Sequence, residues 1–347
     1  MIRFNSDYLE GAHPRIIRRL MDTNLDQTPG YGEDAYCDRA RDIIRRLCAA
    51  PDADVHFLVG GTQTNFTFLS AVLRPWQGVI SADTGHIAVH ETGAVEATGH
   101  KVIALPNRSG KLEAKQVSDY CKLHFSDESH EHMVMPGAVY VSNPTEVGTI
   151  YSRQELQTLR AVCDRWGLIL FLDGARLGYG LASPENELDL PFIAEVTDAF
   201  YIGGTKQGLL FGEALVITTD DIKPDFRYAI KQKGGMLAKG RLLGVQFEVA
   251  LEDGLYMEMA RHALGLAMKL KAALEDMGVE FLIDSPTNQQ FPIFSNDLLD
   301  RLKHDYSYAT IEKLDGDRTA VRFCTSWATR EADVEALIDD LRMLLEE

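Results

Sequence analysis

From about residue 40 to 218 the sequence repeats one pattern: a short β-rich apolar run, then a stretch long enough for a helix. The first five runs are VHFLV (55–59), GVISA (78–82), KVIAL (101–105), AVYVS (138–142) and LILFL (168–172). Runs this uniformly apolar suit strands covered on both faces, and their alternation with helices predicts a doubly wound, mostly parallel α/β sheet. AFYIG (199–203) and EALVIT (213–218) have too few residues between them for a parallel crossover, so this pair is expected to be antiparallel. The expectation is a mixed seven-stranded sheet with one reversed strand.

Beyond the basic, glycine-bearing segment KQKGGMLAKGR (231–241) the pattern becomes helical to about Met277, with Gly254 and Gly265 as points of breakage or bending. VEFLI (279–283), FPIF (291–294), a short helix near Asp297, AVRFCTS (320–326) and a closing helix from Glu331 then predict a smaller α/β unit. The expected organisation is an N-terminal arm (1–12), a large domain (13–240), and a connecting helix with a small C-terminal domain (241–347). No repeat of fixed period and no flexible linker separates them.

Thirty-five basic against 52 acidic residues give a net charge of −17, which disfavours nucleic acid and anionic membrane surfaces and favours small-molecule partners. The five cysteines (Cys37, Cys48, Cys121, Cys163, Cys324) are scattered and never form a CxxC pair, which argues against a disulfide framework or a metal site. The opening residues lack an apolar leader, and no run approaches the length of a membrane span. A cytoplasmic protein is expected.

Three motifs fall at the carboxyl ends of different strands, the edge where open α/β sheets bind ligands. In VHFLVGGTQTNF the run meets Gly60, Gly61 and Thr62 at a new helix, whose free amides, dipole and threonine hydroxyl suit a phosphate. A plain strand-to-helix turn also needs glycine, and Asp83 lies about where a dinucleotide site places its ribose ligand, so a nicotinamide oxidoreductase stays open. In LILFLDGARLGYG a buried strand delivers Asp173, which needs a cation: Arg176 or a protonated heterocycle. In FYIGGTKQGLLFGEALV, Lys206 stands beside Thr205 between Gly204 and Gly208, company in which a lysine loses its proton readily enough to form a Schiff base. Each has a bland reading, respectively a turn, a local ion pair and a surface lysine. A phosphate site, a partner for a ring nitrogen and a Schiff-base lysine on one sheet edge together describe pyridoxal 5′-phosphate (PLP).

FNSDY, YGEDAYC (31–37), GGTQTN, GHIAVHETGA (85–94), NPTEVGTIYS, DGARLG, GGTKQGLLFGEA, KQKGGMLAKGR and VRFCTSW carry a resemblance that runs nearly end to end. The sequence resembles the PLP-dependent L-threonine aldolases, in particular the low-specificity and phenylserine-aldolase-like branch of the β-eliminating lyase group, which has the aspartate-aminotransferase (type I) fold. The resemblance implies retro-aldol cleavage of β-hydroxy-α-amino acids, L-threonine or L-allo-threonine giving glycine and acetaldehyde. It also implies a homodimer or homotetramer with sites built across subunits.

By the same resemblance Lys206 would hold PLP, Asp173 would pair with the ring nitrogen, Gly61 and Thr62 would bind the phosphate with help from Thr205, and His86 would stack on the ring with the acidic Glu91 nearby. Arg322 would clamp the substrate carboxylate, assisted by Arg176 and Ser6; arginine's planar fork suits that task. The alternative for Arg322 is a solvent-facing arginine on an edge strand. His132, eleven residues before Asn143, matches a second active-site histidine and is the candidate base, alone or through a water shared with His86. Tyr31 would lie near the site, contributed by the same or a neighbouring subunit. Two departures stand out: Leu237 follows GGM where many relatives carry arginine, and NPTEVG replaces an NTHN-type segment. The rival activities are PLP-dependent β-elimination or transamination, which yield keto acids, and a PLP-fold protein without turnover.

Overall fold

A computed structural model of the chain describes residues 1–346. Its strands are β1 (Ile2–Arg3), β2 (Asp54–Leu58), β3 (Gln77–Ala82), β4 (Val102–Leu105), β5 (Met135–Ser142), β6 (Ile169–Asp173), β7 (Ala199–Gly203), β8 (Glu213–Ile217), β9 (Phe281–Ile283), β10 (Gln289–Ser295), β11 (Tyr306–Ser307), β12 (Ala309–Lys313) and β13 (Arg318–Cys324). Seven form the main sheet in the order β2-β8-β7-β6-β5-β3-β4. The neighbours among β3 to β7 pair in parallel, whereas β8 runs antiparallel to both β2 and β7. The expected single reversed strand is therefore present.

The two-residue period of the strands divides their side chains between two cores. Tyr140, Phe171, Tyr201 and Leu215 face the helix Gly61–Val72, where Phe68 stacks on Phe171 with centroids 4.3 Å apart. Val139, Val141, Leu170, Leu172, Phe200 and Val216 face the opposite layer, which contains the helices Ala35–Leu47, Arg153–Trp166 and Arg241–Glu252. Coverage on both faces explains why the runs carry no polar alternation.

The C-terminal unit is a four-stranded sheet, β12-β13-β10-β9, packed against the helices Leu255–Asp276 and Glu331–Glu346. The N-terminal arm joins it: β1 pairs with β11, and Phe4 is buried among Leu270, Phe294, Tyr306 and Phe323. The long helical stretch divides at Gly254, whose φ of +74° breaks it, while Gly265 lies inside an uninterrupted helix. The helix before the break, Arg241–Glu252, packs on Ala35–Leu47 and its neighbours in the large unit; the longer helix after it supports the small sheet. Among the described residues no helix is long and apolar enough to cross a membrane.

Candidate active site

At the carboxyl ends of the parallel strands lies a cavity of about 280 Å³. Gly61, Thr62, His86, Asp173, Arg176, Thr205 and Lys206 all line it, so seven of the residues singled out in the sequence are brought together.

Gly60, extended at φ −178°, leads into the helix Gly61–Val72, whose N-terminus carries no side-chain cap. Its first amides are thus free for an anion. A Cβ on Gly61 would come within 3.0 Å of the buried Tyr201 hydroxyl. Asp173 ends β6 on the same face as Tyr140 and Tyr201. Burial pushes its carboxyl up, but the His86 charge and hydrogen bonds from the Tyr140 hydroxyl and the Ala175 amide (2.9 Å) outweigh this and hold it below the usual carboxylate value. Asn65 Nδ2 bridges two acids, donating to Asp173 Oδ2 at 3.2 Å and to Glu91 Oε1 at 2.8 Å. Glu91 in turn holds His86 Nδ1 at 2.7 Å, so the ring orientation of His86 is set from behind.

Lys206 follows the turn after β7, and its Nζ forms no hydrogen bond or ion pair; it sits 5.9 Å from the centre of the Tyr8 ring. Burial and then the Arg176 charge depress its pKa, against the opposing pull of Asp7, Asp173 and Glu213. That favours the neutral, nucleophilic amine. Glu213, at the start of β8 opposite Gly203 and Leu58, accepts from Thr205 Oγ1 (2.8 Å) and the Gly204 amide (3.0 Å). Burial pushes this carboxyl up to about 8 despite those donors and the Lys206 charge.

Arg176 is already paired. Its Nε and Nη2 contact the two oxygens of fully buried Asp7 at 2.7 and 3.0 Å, and Asn288 Nδ2 donates to the same carboxylate at 3.0 Å. Arg322 lies on β13, between β10 and β12, which excludes an edge-strand position. It binds the Asn5 carbonyl (3.2 Å) and Gln289 Oε1 (3.1 Å), while its Nε and the Ser6 hydroxyl are buried without partners. Asn5, Ser6 and Asp7 thus connect the two arginines, although Ser6 and Arg322 lie outside the cavity lining.

One expected residue lies apart from this cavity, and one alternative reading fails. His132 sits in a short 3-10 turn before β5, whereas the cavity lies beyond its far end, where Ser142 pairs with Asp173. Eight residues of strand separate them, about 25 Å at the usual rise, so His132 does not line the cavity of its own chain. The dinucleotide reading fails on topology: β2 and β3 are not neighbours, and Asp83 accepts from the Asn107 amide and side chain. Tyr31 is half exposed and away from the cavity, on a separate surface hollow with Lys231 and Arg227. Leu237 packs half-buried against the large core. Among the described residues no group of His, Cys, Asp and Glu is arranged for a metal.

Sequence reasoning missed Asp7, Asn65, Glu146 and Glu213. Glu213 had one signal, an acid opening an otherwise apolar strand.

A family profile described as beta-eliminating lyase matches residues 4–296. A low-specificity L-threonine aldolase from a Pseudomonas species is 30% identical, covering 99% of this chain and 98% of its own. The solved structure of Leishmania major threonine aldolase superposes with a TM-score of 0.97 at 47% identity, covering 99% of this chain and 100% of that one. An aspartate aminotransferase of Thermus thermophilus superposes at 0.70 with 15% identity, covering 99% and 91%, a likeness of fold alone.

Proposed function

The chain belongs to the beta-eliminating lyase family, groups with the low-specificity L-threonine aldolases and has the type I fold of PLP enzymes; from that premise we propose that its cavity binds PLP and cleaves β-hydroxy-α-amino acids, threonine giving glycine and acetaldehyde. One observation carries the reading. An unpaired lysine amine of depressed pKa shares a cavity with an ionised, buried aspartate and a glycine-led helix N-terminus.

The residues fit the group. Lys206 Nζ would hold it covalently, Asp173 would keep a proton on its ring nitrogen, the amides of Gly61 and Thr62 would bind its phosphate with Thr205 beside them, and His86 would cover a ring face. When bound, PLP supplies the electron sink that makes cleavage next to the amino group accessible. Arg322, whose Nε is unpartnered, would bind the substrate carboxylate with Ser6. Arg176, engaged by Asp7 through Nε and Nη2, would assist only through its remaining nitrogen or as the anchor of the arm.

We further propose a homodimer or homotetramer in which Tyr31 serves a neighbouring site. The five free, buried cysteines support a cytoplasmic setting.

The test is a visible absorption spectrum of purified protein with PLP, before and after glycine, followed by borohydride reduction, peptide mapping and product analysis with threonine. A coloured protein that responds to glycine, is fixed by reduction at Lys206 and yields glycine with acetaldehyde supports the reading. A protein that stays colourless refutes it, and a keto acid product moves the assignment to elimination or transamination.

A further inference from the structure

Within this chain His132 lies before β5, at the other end of the strand from the cavity, and His86 is held through Nδ1 by Glu91. Glu146 lines the cavity with Ser142, His86, Asp173 and Lys206. Its Oε1 accepts from Ser142 Oγ at 2.6 Å and from the His86 amide at 2.8 Å, whereas its Oε2 forms no hydrogen bond and no cation pairs with it.

The surrounding turn is held firmly. The Gly148 amide donates to the Thr145 carbonyl at 2.9 Å, and Ser285 Oγ donates to the Gly148 carbonyl at 3.0 Å. Gly148 has a φ of +78°, and a Cβ there would lie 2.3 Å from Ser285 Oγ, so this approach requires glycine. A carboxylate with one oxygen anchored and the other free, on a rigid turn, is placed to accept a proton inside the cavity.

We infer that Glu146 is the proton acceptor for the β-hydroxyl in the proposed aldolase reaction, an inference that rests on that reading of the cavity. The hydroxyl O–H bond breaks and its proton passes to Glu146 Oε2, while the O–H electron pair becomes the second bond of the aldehyde C=O. The Cα–Cβ bond breaks, its electron pair stays with the glycyl fragment, and one proton is taken up at Cα, so protons and electrons balance. Burial, with the nearby Asp173 charge, raises the carboxyl above its ordinary value despite the Ser142 hydroxyl, its own backbone amide and the His86 amide, which suits a base that is reprotonated each cycle. Besides Asp173, the titratable groups that share its cavity are His86, Arg176, Lys206 and Glu213, with the neutral phenols Tyr140 and Tyr151 near it.

The test uses PLP-loaded enzyme and two substrates, because glycine has no β-hydroxyl. Glu146→Gln should lower threonine cleavage by on the order of 10²-fold or more. It should leave the glycine-induced spectral change and solvent exchange of the glycine α-proton at wild-type level. Unchanged cleavage, or glycine exchange lost in parallel, overturns the assignment. Ser142→Ala removes one donor to Oε1 and should move the acid limb of the kcat/KM profile for threonine to higher pH; an unmoved limb also overturns it. Wild-type protein that neither takes up PLP nor exchanges glycine refutes the underlying reading, and that is separable because no variant enters the measurement.

Discussion

Replacing Asp7 by alanine should destabilise the protein more than any exposed ion-pair substitution. Asp7 is fully buried and satisfies both Nε and Nη2 of Arg176, with Asn288 as its third partner. It therefore ties the N-terminal arm to the segment after β6 and to the segment before β10. Removing it leaves a buried guanidinium uncompensated, which costs about 3–5 kcal/mol. At an unfolding entropy of about 2.1 cal/mol/K per residue, the whole chain gives roughly 0.7 kcal/mol/K, so Tm should fall by about 4–7 °C. Differential scanning calorimetry at neutral pH measures this directly. The pH dependence adds an independent check: burial raises the Asp7 carboxyl, but the Arg176 charge and hydrogen bonds bring it net below 3.8. A depressed carboxylate contributes stability above its unfolded pKa and loses it as pH falls through its folded value. The difference between wild type and variant should therefore shrink below about pH 4. A Tm change under about 1 °C at neutral pH, or a gap that widens in acid, would refute the reasoning.

Glu213→Gln tests the opposite sign: a carboxyl raised to about 8 by burial holds a proton in the folded state that the unfolded chain releases near 4.5. Wild-type stability should fall by a few kcal/mol as pH rises between those values, and the glutamine variant should lack that slope in denaturant titrations. Arg322→Ala should weaken binding of threonine and glycine roughly ten- to a hundredfold with little change in PLP content, as expected for loss of a charge-assisted carboxylate contact; spectral titration with glycine reads it, and unchanged affinity removes the clamp role. His132→Ala should leave the rate and its pH profile within about twofold, because surface substitutions away from packed or buried polar features have small effects; a large loss would return that histidine to the reaction.

The large sheet was legible because its strands are buried on both faces, so apolar runs alone locate them. AFYIG coincides with β7, and the short gap before β8 announced the reversed strand. The small unit was less legible for the converse reason. β12, Ala309–Lys313, is mostly exposed and polar, and β11 is a two-residue bridge to the arm; neither carries an apolar signature. Gly254 and Gly265 look alike in sequence, yet only the first adopts positive φ, because the chain must turn there between a helix packed on the large core and one packed on the small sheet.

The site divides along a similar physical line. Gly61, Asp173 and Lys206 follow strands, and in a parallel sheet everything just after a strand shares one edge. That rule places residues without knowledge of strand order. The partners of these residues come from elsewhere: Asp7 lies 169 positions before Arg176, and Glu146 meets the His86 amide across 60 positions. No local spacing encodes such pairings. His132 shows the same rule in reverse, since most of the residues between it and Asn143 belong to β5 itself. The spacing to Asn143 rests on family resemblance and carries no geometry of its own, whereas each strand residue carries the chain about 3.3 Å toward the opposite edge. A histidine before a parallel strand and an asparagine after it are thus held apart by the strand that links them, and Glu146, on the far side of that strand, occupies the edge where the chemistry is assembled.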